Sequence, residues 1–215
     1  MKTLSVTAAL LLCTGASPAT GGTRGGLVVV VGCGEPIRLT EFYAQGDTLV
    51  QGLDADRKRV KAAREFIRAR GVYGPVSAQV WNGKTLPYAE SLVSLIIDLG
   101  GGRFVTQDEI DRVLAPGGMA IRERNDGGPT HWKYVKPVPK NIDEWTHFLH
   151  GADNNAVARD SVVGFPRYLK WQAGPFWARH HNSVQGIEAI VSAKGRLFTI
   201  ADEAAASIDM ALPDK

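Results

Sequence analysis

The chain has 215 residues, 44% of them hydrophobic and 22% charged, enough for one good domain or for one and part of another. That balance excludes an intrinsically disordered protein. A formal charge of +3, read as dispersed along the chain, gives no reason to expect nucleic acid as a partner. Beyond the N-terminal 20 residues no stretch is apolar over the length of a membrane span.

Residues 1–20 carry Lys2, an apolar core from Leu4 to Cys13, and small residues at Ala16, Ser17 and Ala19. This is the pattern of a secretory signal peptide, with a plain N-terminal extension or a misplaced start as the alternative. Leu10-Leu11-Leu12-Cys13 lacks the small residue that a lipoprotein box places before its cysteine. Cleavage near Ala19 leaves Cys33 as the lone cysteine and excludes an intrachain disulfide. A functional signal makes the protein secreted or periplasmic; without one it is cytoplasmic.

Leu27 to Val31 is a β-branched run without polar alternation, which suits a strand buried on both faces. Gly32-Cys33-Gly34 turns the chain into a helix opened by Pro36, with Ile37, Leu39, Thr40, Phe42 and Ala44 along it and Gly46 as a stop. Thr48 to Leu53 reads as a second strand. Asp56 then caps a helix to about Arg70 that buries Val60, Ala63, Phe66 and Ile67 and ends at Gly71. Arg57-Lys58-Arg59, the densest basic run, reads as part of its solvated face. Val76 to Trp81 and Ser94 to Leu99 are further strands. Thr106 and Glu109 have capping-box spacing ahead of a short helix that buries Ile110, Val113 and Leu114. Asp108, Asp111 and Arg112 are its solvated side. Pro116-Gly117-Gly118 breaks it and turns into a fifth strand at Met119-Ala120-Ile121. The alternation predicts a doubly wound parallel α/β sheet.

In such a sheet ligands bind at the carboxyl ends of the strands, and a carboxylate ending the second strand, here Asp54, can accept both hydroxyls of a ribose. A dinucleotide fingerprint normally has a third glycine in the first turn, which this chain lacks. In order, Val31-Gly32-Cys33-Gly34, Gly52-Leu53-Asp54, Leu86-Pro87-Tyr88-Ala89-Glu90-Ser91 and Glu109-Ile110-Asp111-Arg112-Val113-Leu114-Ala115-Pro116-Gly117-Gly118 resemble four motifs of the class I S-adenosylmethionine-dependent methyltransferases, of the methyltransferase type 11 kind. The resemblance covers about residues 27–123 and implies a Rossmann-like fold with S-adenosylmethionine as cofactor. It implies Gly32, Cys33 and Gly34 against the methionine part, Asp54 on the ribose and Asn82 facing the adenine. The chain departs from the family at Val30, where an acid is common, at Glu35-Pro36, where a small residue is, at Asn82, often Asp, and at Val93-Ser94, often Phe-Asp. No catalytic base stands out and the methyl acceptor is unknown.

From about Asn125 the helical periodicity ends, and residues 125–140 read as a linker. Tyr168 to Trp171, Glu188 to Ser192, Arg196 to Ala201 and Ser207 to Met210 are strand candidates, with Ala193-Lys194-Gly195 as a hairpin connection. Asp143-Glu144-Trp145-Thr146-His147-Phe148-Leu149-His150, Asp153-Asn154-Asn155, Trp171-Gln172-Ala173-Gly174-Pro175 and Gly195-Arg196-Leu197-Phe198-Thr199-Ile200 resemble the opening of a quinoprotein (PQQ)-like β-propeller. Residues 141–215 have room for little more than one blade, so an incomplete all-β region is expected, as in the fragment of a longer protein. His147, His150, His180 and His181 match no metal-ligand spacing, and no metal is expected. Two functions follow from these resemblances: a methyltransferase-like protein, active or degenerate, or a secreted propeller-type binding or scaffold protein with a non-catalytic α/β domain.

Overall fold

A computed structural model describes residues 26–43, 48–100, 105–123, 131–165, 169, 187–193, 196–201 and 204–209. The segment expected to be a signal peptide lies outside them. Strand β1 (Gly26–Val31) leads through the glycine turn into α1 (Pro36–Tyr43), then β2 (Thr48–Asp54) and α2 (Arg57–Ala69). There follow β3 (Val76–Val80), β4 (Val93–Asp98), α3 (Gln107–Val113), β5 (Leu114–Glu123) and β6 (His131–Val135). These six strands form one sheet in the order β3-β2-β1-β4-β5-β6, parallel except for β6.

The central strand explains the valine run. Val28 and Val30 pack with Leu39, Phe42, Val60, Ala63 and Ile67 under α1 and α2. Val29 and Val31 face the other side, with Trp81, Leu86, Ile110 and Leu114. Alternate side chains point to opposite faces, so only a strand covered on both sides needs every position apolar. Val30, where the family has an acid, is fully buried in the first of these clusters.

Helix α2 begins as its sequence directs. Asp56 is extended and accepts from Lys58 N, and Gly71 closes the other end at φ +70°. At α3 half of the capping box forms: Thr106 Oγ1 accepts from Glu109 N at 3.3 Å, but the Glu109 carboxylate turns away and accepts from Leu86 N at 2.8 Å. Arg112 departs from its expected solvated place. Its Nη1 donates to the Tyr88 carbonyl, its Nη2 to that of Leu86, and its Nε to Glu109, so the pair pins the loop between β3 and β4 against α3. The same hydrogen bond from Arg112 is the main reason that the Glu109 carboxyl is held below its ordinary value.

Two other expectations are corrected. Pro116-Gly117-Gly118 is not a turn before a strand but lies within β5, as a bulge. Val93 pairs with Leu114 and Leu95 with Met119, so one residue of β4 faces four of β5. Gly117 stands at φ +79°, and a Cβ on Gly118 would come 2.8 Å from the Ala115 carbonyl oxygen. The 125–140 stretch, expected as a linker, contributes β6 at His131–Val135, the antiparallel edge of the sheet. Lys136 fastens that edge: its Nζ donates to the Asp111 carbonyl at 2.6 Å and the Leu114 carbonyl at 2.7 Å, at the end of α3.

Beyond residue 140, β7 (Ile187–Ala193), β8 (Arg196–Ala201) and β9 (Ala204–Asp209) form an antiparallel sheet of three strands, where a propeller blade has four. The strand expected at Tyr168 to Trp171 lies outside the described residues, Leu169 excepted. Residues 141–163 are tied to themselves and to β7. Asp143 accepts from His150 Nε2 and from Arg159 N, while Trp145 and Ser192 exchange backbone and hydroxyl bonds.

Candidate functional site

The carboxyl ends of β1 to β4 are stitched together by backbone bonds: Gly32 N to the Leu53 carbonyl at 2.7 Å, Leu99 N to that of Val31 at 2.9 Å, and Trp81 N to that of Asp54 at 2.9 Å. Above these ends lies a cleft of about 240 Å³, partly open to solvent. Its apolar walls are Val31, Leu53, Trp81 and Leu99, its charged groups Glu35, Arg38, Asp54 and Arg59, and its small residues Gly32, Gly34, Ala55 and Gly100.

Asp54 is buried and turned inward. Its Oδ2 accepts from Cys33 N at 2.8 Å and its Oδ1 from Asp56 N at 2.8 Å, so one carboxylate closes both the β1–α1 and the β2–α2 turns. Each oxygen keeps lone-pair capacity after these bonds. The Arg59 guanidinium stands 3.8 Å from Oδ2 and is itself well exposed.

The two glycines of the first turn differ. Gly32 has φ +108°, a backbone conformation that side chains rarely adopt, so its glycine is required by the turn itself. Gly34 has no such strain, and a Cβ there would meet nothing within 4 Å. It lines the cleft all the same. No contact within the fold requires it to be glycine; a side chain at this position would extend into open space at the cleft.

Cys33 and Asn82 are placed differently from Gly32, Gly34 and Asp54. The Cys33 side chain points into the core, where burial, reinforced by Asp54 and opposed by Arg59, pushes its thiol up to about 12. It is not a wall of the cleft, and a buried thiol raised in this way carries little thiolate at neutral pH. Asn82, expected to face an adenine, is not among the cleft residues, and its Oδ1 accepts from Lys84 N at 3.0 Å. Trp81 occupies the wall instead, with its Nε1 donating to the Thr85 carbonyl.

Sequence reasoning passed over Arg38 and left Arg59 on a solvated face, yet both line the cleft. The signal was their spacing: each follows by three residues an acid just ahead of a helix, Glu35 with Arg38 at 2.9 Å and Asp56 with Arg59 at 3.7 Å. Glu35 and Pro36 do not plug the cleft; the Glu35 side chain is mostly exposed and its charge is met by Arg38. Among the described residues no group of three or more His, Cys, Asp or Glu could hold a metal. No described helix is long and apolar enough to cross a membrane.

No family model matches the chain, and no curated protein does. Among solved structures it is similar to a Methanococcus maripaludis protein assigned to the S-adenosylmethionine-dependent methyltransferases, at 19% identity over 57% of this chain and 55% of that one, with a TM-score of 0.46. It is similar to the geranyl diphosphate C-methyltransferase of Streptomyces coelicolor A3(2), at 17% identity over 54% and 44%, with a TM-score of 0.45. It is also similar to the cyclase SpnF, at 24% identity over 50% and 43%, with a TM-score of 0.42. The chain spans about half the length of the structures it matches.

Proposed function

We propose that the cleft binds S-adenosylmethionine and that the chain is a methyltransferase-like protein. The observation that carries this reading is Gly34, a glycine that no contact or strain of the fold requires, beside a buried carboxylate ending the second strand. A ligand lying across the turn uses the missing Cβ, and a ribose uses the remaining lone pairs of Asp54. Trp81 and Leu53 offer an apolar wall to a base. Gly32 and the Cys33 amide act by holding the turn and the acid in place, and the Glu35–Arg38 pair leaves little net charge at the start of α1. When bound, the cofactor supplies an electrophilic methyl group. The chain's part is orientation, for which no general base is needed when the acceptor is itself nucleophilic. At about 240 Å³ the cleft falls just below the ~300–1,000 Å³ of most small-molecule pockets, so part of the ligand stays in solvent.

Calorimetric titration with S-adenosylhomocysteine tests the proposal. Binding is expected for the wild-type chain and a loss of at least about tenfold for Gly34→Leu, with an unchanged melting temperature. Asp54→Ala should also abolish binding, but it frees two turn amides and lowers stability, so Gly34→Leu is the cleaner probe. Absence of heat at roughly millimolar ligand would overturn the proposal and leave the non-catalytic scaffold reading.

A further inference from the structure

We propose that the flank of α2 that runs along β3, together with Tyr73, is a docking strip for a single strand of nucleic acid, held by its phosphates. The chain-wide charge of +3 conceals where the charge sits. Residues 57–70 hold seven cations and one acid, a surplus of six, so the rest of the chain is net negative. Arg57, Lys61, Arg64 and Arg68 fall at i, i+4, i+7 and i+11, which at 3.6 residues per turn places them in one stripe about 16 Å long. Like charges at this spacing repel, and the helix has only Glu65, 4.0 Å from Lys61, to offset them. Two of the four are already held in place. Arg64 Nε donates to the Ala78 carbonyl at 2.7 Å, and the Arg68 guanidinium lies 4.8 Å over the ring of the exposed Tyr73.

Cations in a line beside an aromatic ring are what a phosphate backbone with splayed bases requires. A membrane surface fits less well. The apolar residues of α2, Val60, Ala63 and Ile67, are at most 1% exposed because they face the sheet, so the helix has no apolar side to sink between lipids. The exposed Tyr73 ring in line with the cations favours a single strand, whose bases are free to stack, over a duplex, whose bases are already stacked on one another.

The test is fluorescence anisotropy of a labelled oligouridylate with the full chain. Binding is expected at about 50 mM salt and should weaken steeply by about 200 mM, with a log–log slope near −3 for four phosphates. The triple variant Arg57→Gln, Lys61→Gln, Arg68→Gln should bind at least about tenfold more weakly, with its slope reduced by about 2 and its melting temperature unchanged. Tyr73→Ala should weaken binding several-fold, whereas Lys133→Gln, on β6 at the opposite edge of the sheet, should not. Arg59 is left intact because it lines the cleft, so S-adenosylhomocysteine titration of the triple variant separates the two sites. Absence of oligouridylate binding, or binding that the triple variant retains, overturns the proposal. So does sedimentation with phosphatidylserine vesicles that depends on the same residues without binding to the oligonucleotide.

Discussion

At the level of single residues, two glycines that look alike in Gly32-Cys33-Gly34 turn out to answer to different causes. One is fixed by its own φ, the other by the space in front of it, and only coordinates separate the two. Asp54 was singled out by its place at the end of the second strand, and the sequence did not show that its carboxylate also closes two turns. Asn82 lies outside the cleft lining, with its Oδ1 accepting from the Lys84 amide, a local turn that residue spacing does not show. Asp143, unremarkable in the sequence, has a strongly perturbed carboxyl: the Arg159 amide, then His150, then the Glu144 amide lower it from 3.8 to about 2. A depressed carboxyl contributes to the folded state above its unfolded value and loses that contribution as pH falls through its folded one. The 13C resonance of this carboxyl should therefore titrate near 2, and the local fold of 141–163 should loosen between 3.8 and about 2. His150→Ala should raise the midpoint only part of the way, since the two amides remain; an unchanged midpoint would show that His150 plays no part.

At the level of elements, helix α2 and strand β1 were legible because capping chemistry and an uninterrupted valine run are local signals. Strand β6 was not, although His131-Trp132-Lys133-Tyr134-Val135 alternates and places Trp132 and Tyr134 against the core. Its flanking glycine and proline clusters outweighed five residues of period two. The β5 bulge was missed for a related reason: Pro-Gly-Gly reads as a break, and only the pairing on either side shows the strand continuing. The packing of α1 on β2 was also hidden, and it depends on Gly52. A Cβ there would come 2.9 Å from Cys33 Sγ and 3.0 Å from Leu39 Cδ1. Gly52→Ala is expected to cost about 1–3 kcal/mol in urea denaturation, as overpacking does. Cys33→Ala in the same chain should recover part of that loss, and strictly additive effects would show that the sulfur is not the obstacle.

At the level of the whole molecule, a net charge of +3 has no position, and the basic run at Arg57-Lys58-Arg59 read as an ordinary solvated face until the helix lined Arg57 up with Lys61, Arg64 and Arg68. The boundary drawn near residue 124 also cut through the sheet. A fragment spanning 26–140 keeps all six strands, and it should melt cooperatively and bind S-adenosylhomocysteine as the full chain does. Ending it at 124 removes β6 and the Lys136 bonds, and by the usual worth of a charged hydrogen bond should lower stability by about 2 kcal/mol or more. Equal melting temperatures for the two fragments would show that β6 contributes nothing. The strand order has one more consequence, for synthesis. Val28 pairs with Leu95, so β1 waits about 67 residues for its second neighbour, roughly 3–13 seconds on the ribosome. Throughout that wait an uncharged, β-branched ribbon keeps one edge free to zip onto other nascent chains, which makes it the natural first client of a holdase.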